Sequence, residues 1–225
     1  MKKTGRCILV CAGDLEISDI PVREEDLLIA VDGGYMYCNI FELVPDVVIG
    51  DFDSLEEKYV KQIEADYAEA GDEETDEAEK RLIRLKPEKD DTDTLAALRY
   101  GLEQGFAEFH LYGAMGGRLE HTIANLQCLH FLKNAGAKAY IWDGCMMMTL
   151  IQNESISFRE EMEGMISVFA VGGTAKGVSE KGLKYELTNA VIKDDFPVGI
   201  SNEFIGEKAE LAVEDGTLLV IVRWA

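Results

Sequence analysis

Apolar residues in the first 145 positions fall in short, unbroken runs separated by stretches with helical spacing, a pattern that predicts parallel βα units. The candidate strands are 7–11, 27–31, 46–49, 81–85, 109–112 and 139–142. Most lack polar alternation, as expected of strands covered on both faces. Between them, 54–69, 94–104 and 119–135 are predicted helices, with apolar positions spaced like Leu95, Leu98 and Leu102. Ser54 followed by Glu57 fits a capping box at the start of the first helix.

Beyond Gly144 the texture changes. Helical periodicity gives way to short alternating segments at 146–151, 155–158, 165–171, 183–187, 209–213 and 218–224. Turn signals such as Gly172-Gly173 and Asp215-Gly216 separate them, which reads as an antiparallel β-sandwich or barrel. The predicted organisation is therefore an α/β domain over 1–145 and a β-rich domain over 146–225, with no internal repeat.

A chain of 225 residues accommodates two small domains, and its 47% hydrophobic content with only 4 Pro is that of a folded globular protein. The net charge of −21, with no basic patch, argues against nucleic acid and anionic lipid as partners. The run 71–80, GDEETDEAEK, is expected to be a solvated surface loop rather than a metal site. Five cysteines, odd in number, without a C-x-x-C pair and mostly inside apolar runs, suit reduced thiols in the cytoplasm. The start, MKKTGRCILVCAG, reads as a first strand rather than an export signal, and every apolar run is shorter than the ~20 residues that span a bilayer.

Ligands of open α/β sheets bind beyond the carboxyl ends of the strands, and four polar stretches follow apolar runs here. Asp32-Gly33-Gly34 is either a plain turn or a place where backbone approaches a ligand. In Gly50-Asp51-Phe52-Asp53-Ser54 two carboxylates at a strand end suit one hard cation such as Mg²⁺, although a helix cap explains Asp53 or Ser54 equally well. Lys89-Asp90-Asp91-Thr92-Asp93 crowds three aspartates before a helix, an arrangement that costs repulsion unless a cation offsets it. If the loops meet, Asp51, Asp53 and Asp93 converge on one ion. The fourth stretch, Gly113-Ala114-Met115-Gly116-Gly117-Arg118, is a glycine-rich turn into a helix and suits phosphate, with Arg118, His121 and Asn125 on one helix face. Neither a G-x-x-x-x-G-K-[ST] nor a G-x-G-x-x-G loop is present, and no Cys/His cluster suggests zinc.

These four stretches, in this order and followed by Gly182-Leu183-Lys184-Tyr185 and Ser201-Asn202-Glu203, resemble the thiamine pyrophosphokinase family over nearly the whole chain. The resemblance implies a three-layer α/β catalytic domain with a mainly parallel sheet, a β-sandwich that helps bind thiamine, and a homodimer with sites at the subunit interface. It implies transfer of the pyrophosphoryl group of ATP to the hydroxyl of thiamine, with Mg²⁺, giving thiamine diphosphate and AMP. By the same resemblance Asp32, Asp51, Asp53 and Asp93 match acidic metal and pyrophosphate-handling positions, with the metal on Asp51, Asp53 and Asp93. Arg118 matches the nucleotide-phosphate arginine. Gly33, Gly34, Asp90, Thr92, Gly113, Gly116, Gly117, His121 and Asn125 fall at nucleotide-binding positions. Tyr185 stands where the family carries an aromatic residue, often Trp, in its thiamine pocket, with Ser201 and Asn202 nearby. The chain departs from the family pattern at Glu120, where Asp is usual, and at Tyr35 and Met36, where small residues are usual. Two rivals fit less well. A pyrophosphate transfer to a pterin leaves the GLKY and SNE motifs unused, and a non-catalytic sensor leaves the many apposed carboxylates without a purpose.

Overall fold

The computed structural model describes residues 3–53, 55–69, 81–86 and 91–224. The expected acidic loop 71–80, the cap residue Ser54, and Lys89 and Asp90 lie outside them. The chain forms two compact units, Met1–Ala139 and Tyr140–Ala225.

The first unit is built on a sheet of β1 (Cys7–Val10), β2 (Leu27–Val31), β3 (Val47–Gly50), β4 (Ala68–Glu69), β5 (Arg81–Arg84) and β6 (Glu108–Tyr112). Their order is β6-β1-β2-β3-β5-β4, and the pairings of β1 with β2 and β6, of β2 with β3, and of β5 with β3 and β4 are all parallel. All four residues of β1 and of β3 are buried, so both faces of the sheet are covered, giving three layers. The helices are α1 (Gly34–Ile40), α2 (Glu57–Asp66), α3 (Asp93–Glu103) and α4 (Leu119–Asn134).

α3 crosses from β5 to β6, on opposite sides of β1, and packs on β1, β2 and β3 on the way. It buries Thr94, Ala97, Leu98 and Gly101 against the sheet. Its start is fixed by Thr92, whose hydroxyl accepts the Leu95 N–H at 3.2 Å.

Two expectations for the first unit need correction. The helix expected over 54–69 begins at Glu57 with Glu56 at the N-cap. It stops at Asp66 because Tyr67 turns extended (φ −127°) to bury its ring and donate its hydroxyl to Pro45 O at 3.1 Å. Its last residues, Ala68 and Glu69, are strand β4 instead.

In the second unit β7 (Lys138–Asp143, entering from the first) pairs antiparallel with β8 (Met146–Gln152) from Tyr140 onward. β8 continues through β15 (Thr217–Arg223) and β10 (Met165–Ala170) to β13 (Asn202–Glu203), antiparallel throughout. A second antiparallel sheet runs β12 (Leu187–Ile192), β11 (Ala175–Lys181), β14 (Ala209–Ala212), β9 (Ser155–Phe158). Inner-face residues of both sheets, among them Ile151, Val168 and Val220 against Val178, Leu211 and Phe158, share one core. This is a β-sandwich. The strand expected over 183–187 is a turn. The preceding strand ends at Lys181, Gly182 takes φ +68° where a Cβ would lie 2.3 Å from Lys208 O, and strand resumes only at Leu187.

Gly101 sets how closely α3 approaches the sheet, since a Cβ there would lie 2.7 Å from both Cys7 Sγ and Phe109 Cε1. Alanine in a helix interior gains about 0.5–1 kcal/mol over glycine, whereas overpacking a core costs about 1–3 kcal/mol. Gly101→Ala is therefore expected to be net destabilising and to lower the urea midpoint. A raised midpoint contradicts this packing.

Candidate functional site

β1 has β2 on one side and β6 on the other, so connections leave it in opposite directions, and that reversal opens a crevice at the carboxyl ends of the strands. A cavity of about 400 Å³ lies there. Its wall comes from residues 11–13 after β1, Val31 and Asp32 at the end of β2, 92–94 at the start of α3, 113–118 after β6, and His121 and Asn125 of α4.

The glycine-rich loop is held at both ends. Gly13 N donates to Gly113 O at 2.7 Å and Asp14 N to Met115 O at 2.7 Å, so the loops after β1 and β6 run as a bridged pair. A Cβ at Gly13 would sit 2.2 Å from Met115 O, which only glycine avoids. Gly113, Gly116 and Gly117 all have positive φ, at +61°, +78° and +59°. Asp14 Oδ2 accepts the Gly117 N–H at 3.1 Å. From the helix side, buried Asn125 donates to Ala114 O at 2.7 Å. Asn125 thus secures the loop with its amide while lining the cavity.

Arg118 occupies the N-cap of α4 and is exposed, with Nε donating to Glu120 Oε1 at 2.7 Å. The backbone amide of Glu120 and the Arg118 guanidinium hold this carboxyl below its ordinary range. The departure from the usual Asp thus supplies a partner to Arg118.

The acidic residues separate into two groups. Asp32 and Asp93 line the cavity, while Asp51 and Asp53 are not among its lining residues. Asp51 accepts the Asp53 N–H at 3.3 Å around Phe52, which is buried at φ +61°, and Asp53 is exposed. Among the described residues no three His, Cys, Asp or Glu side chains are grouped to hold a metal. Asp32 nonetheless adjoins the Asp51 loop, its backbone N donating to Ile49 O at 2.8 Å and its Cα 3.0 Å from where a Gly50 Cβ would be. Of the other acids before α3, Asp91 is paired with Arg99.

Gly33 caps α1, and a Cβ on Gly34 would lie 1.9 Å from Val10 O, so glycine is required for α1 to rest on β1. Tyr35, the departure after this pair, is a core residue, 3% exposed with its ring edge-on to Tyr67 at 6.2 Å. Cys11 lines the cavity, but burial pushes its thiol up to about 12, which leaves it protonated and unreactive at neutral pH. Sequence reasoning missed Gly13 and Asp14, although the Ala-Gly-Asp following the run CILVC carries the same signature as the other loops.

In the second unit, Tyr185 and Asn202 are brought together. Tyr185 is exposed and its N donates to Oδ1 of buried Asn202 at 3.0 Å. Ser201, at φ +58°, is exposed and its N donates to Ser167 Oγ at 2.9 Å. Lys184 Nζ lies 5.6 Å from the Tyr185 ring centroid and 2.8 Å from Glu203 Oε1.

Comparison with known proteins agrees with both halves. The family model for the thiamin pyrophosphokinase catalytic domain matches residues 21–141, and that for the thiamin pyrophosphokinase vitamin B1 binding domain matches 153–218. A thiamine pyrophosphokinase of Bacillus subtilis is 27% identical over 199 residues, covering 88% of this chain and 87% of its own. The crystal structure of a thiamine pyrophosphokinase from Bacillus subtilis shares the fold with a TM-score of 0.83 at 24% identity, covering 97% of this chain and 99% of that one. A thiamin pyrophosphokinase family protein from Enterococcus faecalis superposes with a TM-score of 0.80 at 26% identity, covering 98% of this chain and 100% of that one. With both domain models matched in chain order and the parallel sheet and sandwich present, the chain belongs to the thiamine pyrophosphokinase family.

Proposed function

We propose that this protein transfers the pyrophosphoryl group of ATP to the hydroxyl of thiamine, giving thiamine diphosphate and AMP. The observation that carries the reading is the cavity at the strand-order reversal, where Asp32 and Asp93 share one wall with a bridged glycine loop and Arg118. Membership in a family of transferases whose domain models name pyrophosphate transfer and vitamin B1 supports it further.

In the reaction the hydroxyl oxygen of thiamine attacks the β-phosphorus of ATP, and the bond between the α- and β-phosphates breaks to release AMP. Phosphoryl transfer asks a protein mainly to position the groups and to neutralise charge. The glycine loop and the start of α4 offer backbone N–H groups at the positive end of a helix. Gly117 spends its own N–H on Asp14, which fixes the loop's shape. Among the described residues Arg118 is held by an exposed ion pair with Glu120, a weak interaction in water, so its guanidinium is available to a phosphate.

The donor set fits Mg²⁺. Carboxylates are hard oxygen ligands, and Mg²⁺ is ordinarily held by one or two of them together with waters and substrate phosphates. Asp32 and Asp93 in the cavity wall, with Asp51 and Asp53 on the neighbouring loop, are the residues that would hold it. When bound, the ion supplies positive charge against the transferred group.

Tyr185 would receive thiamine. Its ring already carries one cation at its face, Lys184, and a thiazolium is a cation of the same sign. The net charge of −21 favours the approach of a cationic substrate. We further propose a homodimer, supported by the exposed apolar side chains Phe196, Val198 and Ile200 of the second unit. Sedimentation equilibrium showing only monomer contradicts it. A cytoplasmic location is supported by five free cysteines, while no helix among the described residues is long and apolar enough to cross a membrane.

Incubation with ATP, Mg²⁺ and thiamine, followed by separation of the nucleotides, is expected to yield AMP with thiamine diphosphate. ADP in place of AMP contradicts the reaction. In the same assay Asp32→Asn and Asp93→Asn are expected to lower kcat/KM on the order of 10²-fold or more without changing the unfolding midpoint greatly. Turnover near the original level would remove these two aspartates from the mechanism.

A further inference from the structure

The turn that presents Tyr185 is exposed at its tip and anchored by polar groups buried inside the sandwich. Tyr185 is 61% exposed, whereas Asn202 and Glu180 are 5% and 2% exposed. Asn202 uses its whole amide. Its Oδ1 accepts from Tyr185 N at 3.0 Å and from Glu203 N at 2.9 Å, and its Nδ2 donates to Tyr185 O at 2.7 Å and to Glu180 Oε2 at 2.5 Å. Two donated and two accepted hydrogen bonds exhaust an asparagine side chain. Asn202 therefore has nothing left to offer a ligand in this arrangement, in contrast to the polar contact that the resemblance implied.

Glu180 is the unexpected member. It lies in β11 opposite Leu187 of β12 and Leu211 of β14, in otherwise apolar company. Burial raises its carboxyl above the ordinary range, with the Asn202 hydrogen bond opposing that rise. Its second oxygen, Oε1, is buried with no hydrogen-bond partner among the described residues. A buried carboxyl is costly, and an apolar side chain of similar size would pack there more cheaply. What the carboxyl does is orient one amide, and that amide grips Tyr185 at both its N–H and its C=O. Among the described residues the turn's other ties are Gly182 N to Glu186 Oε1 at 2.8 Å, Lys184 N to Glu203 O at 3.0 Å, the exposed ion pair of Lys184 Nζ with Glu203 Oε1 at 2.8 Å, and the bridge between Leu183 and Phe204.

We infer that Glu180 is a positioning residue for thiamine: by orienting the Asn202 amide from within the core, it holds the backbone of Tyr185 so that the aromatic ring is set for the substrate. Asn202 acts in the same chain of contacts, as the clamp rather than as a ligand. The inference rests on the reading of Tyr185 as the thiamine contact. It makes one specific demand, that loosening Glu180 weakens thiamine and leaves ATP alone, because the nucleotide cavity is built entirely from residues of the first unit.

The test uses Glu180→Met, which keeps the length and packing of the side chain but removes the acceptor, and Glu180→Gln, which keeps an acceptor for Asn202. With AMP release as the readout, Glu180→Met is expected to raise the KM for thiamine on the order of tenfold while the KM for ATP stays within about twofold, and Glu180→Gln to restore most of the loss. An unchanged thiamine KM in folded Glu180→Met overturns the inference, as does an equal rise in both KM values, which marks general loosening. If Glu180→Met fails to fold, hydrogen exchange at the Tyr185 amide of the unmodified protein decides. Protection well above that of exposed turn amides supports the clamp, and exchange at the rate of a free turn overturns it. Absence of thiamine diphosphate formation by the unmodified protein, with AMP formed on another acceptor or not at all, defeats the thiamine reading and the inference with it, and so is distinguished from failure of the clamp alone.

Discussion

The cavity depends on two main-chain hydrogen bonds, from Gly13 to Gly113 and from Asp14 to Met115, that tie the tips of β1 and β6 together where the strand order reverses. Once those tips are joined, the glycine loop has one path into α4, and its glycines take the positive φ that the path needs. The crossover helix α3 runs over β3, β2 and β1 to reach β6, which brings its acidic start to the mouth of β2 rather than leaving it beside β5. The carboxylates of Asp32 and Asp93 and the glycine loop thus meet because of the order of the strands. Their distance along the chain is irrelevant to that meeting.

Both units use one device to hold an exposed loop still. In the first, the buried amide of Asn125 reaches Ala114 O beneath the glycine loop. In the second, the buried amide of Asn202 grips Tyr185 beneath the GLKY turn. A side-chain amide has both donors and an acceptor, so a single residue can replace the ladder hydrogen bonds that a turn gives up. Loops fixed in this way lose little conformational entropy when substrate arrives, which is the benefit of preorganisation in binding and catalysis.

Much of this was legible in the sequence. The unbroken runs CILV, LLIAV and VVI were readable as doubly covered strands, and the change of periodicity after Gly144 announced the antiparallel sandwich. Asp32, Asp93 and the 113–118 loop were readable as strand-end or helix-start chemistry and do line one cavity. What escaped was long-range. The alternation at Leu183, Tyr185 and Leu187 mimics a strand, whereas Gly182 at φ +68° and the long-range hold of Asn202 on Tyr185 belong to a turn. The hold of Asn125 and Asn202 on backbone carbonyls was hidden too, because a sequence shows a polar side chain without showing its partner. Glu180, within the alternating run AKGVSEK, gave no local sign that its carboxylate lies in the core.

The account stands on where the phosphates bind. A crystal structure with Mg²⁺ and a non-hydrolysable ATP analogue measures this directly. The phosphates are predicted to lie against the 113–118 loop and Arg118, with the metal between them and the carboxylates of the Asp32 and Asp93 wall. A triphosphate bound elsewhere on the chain, with that cavity left to solvent, would contradict the account.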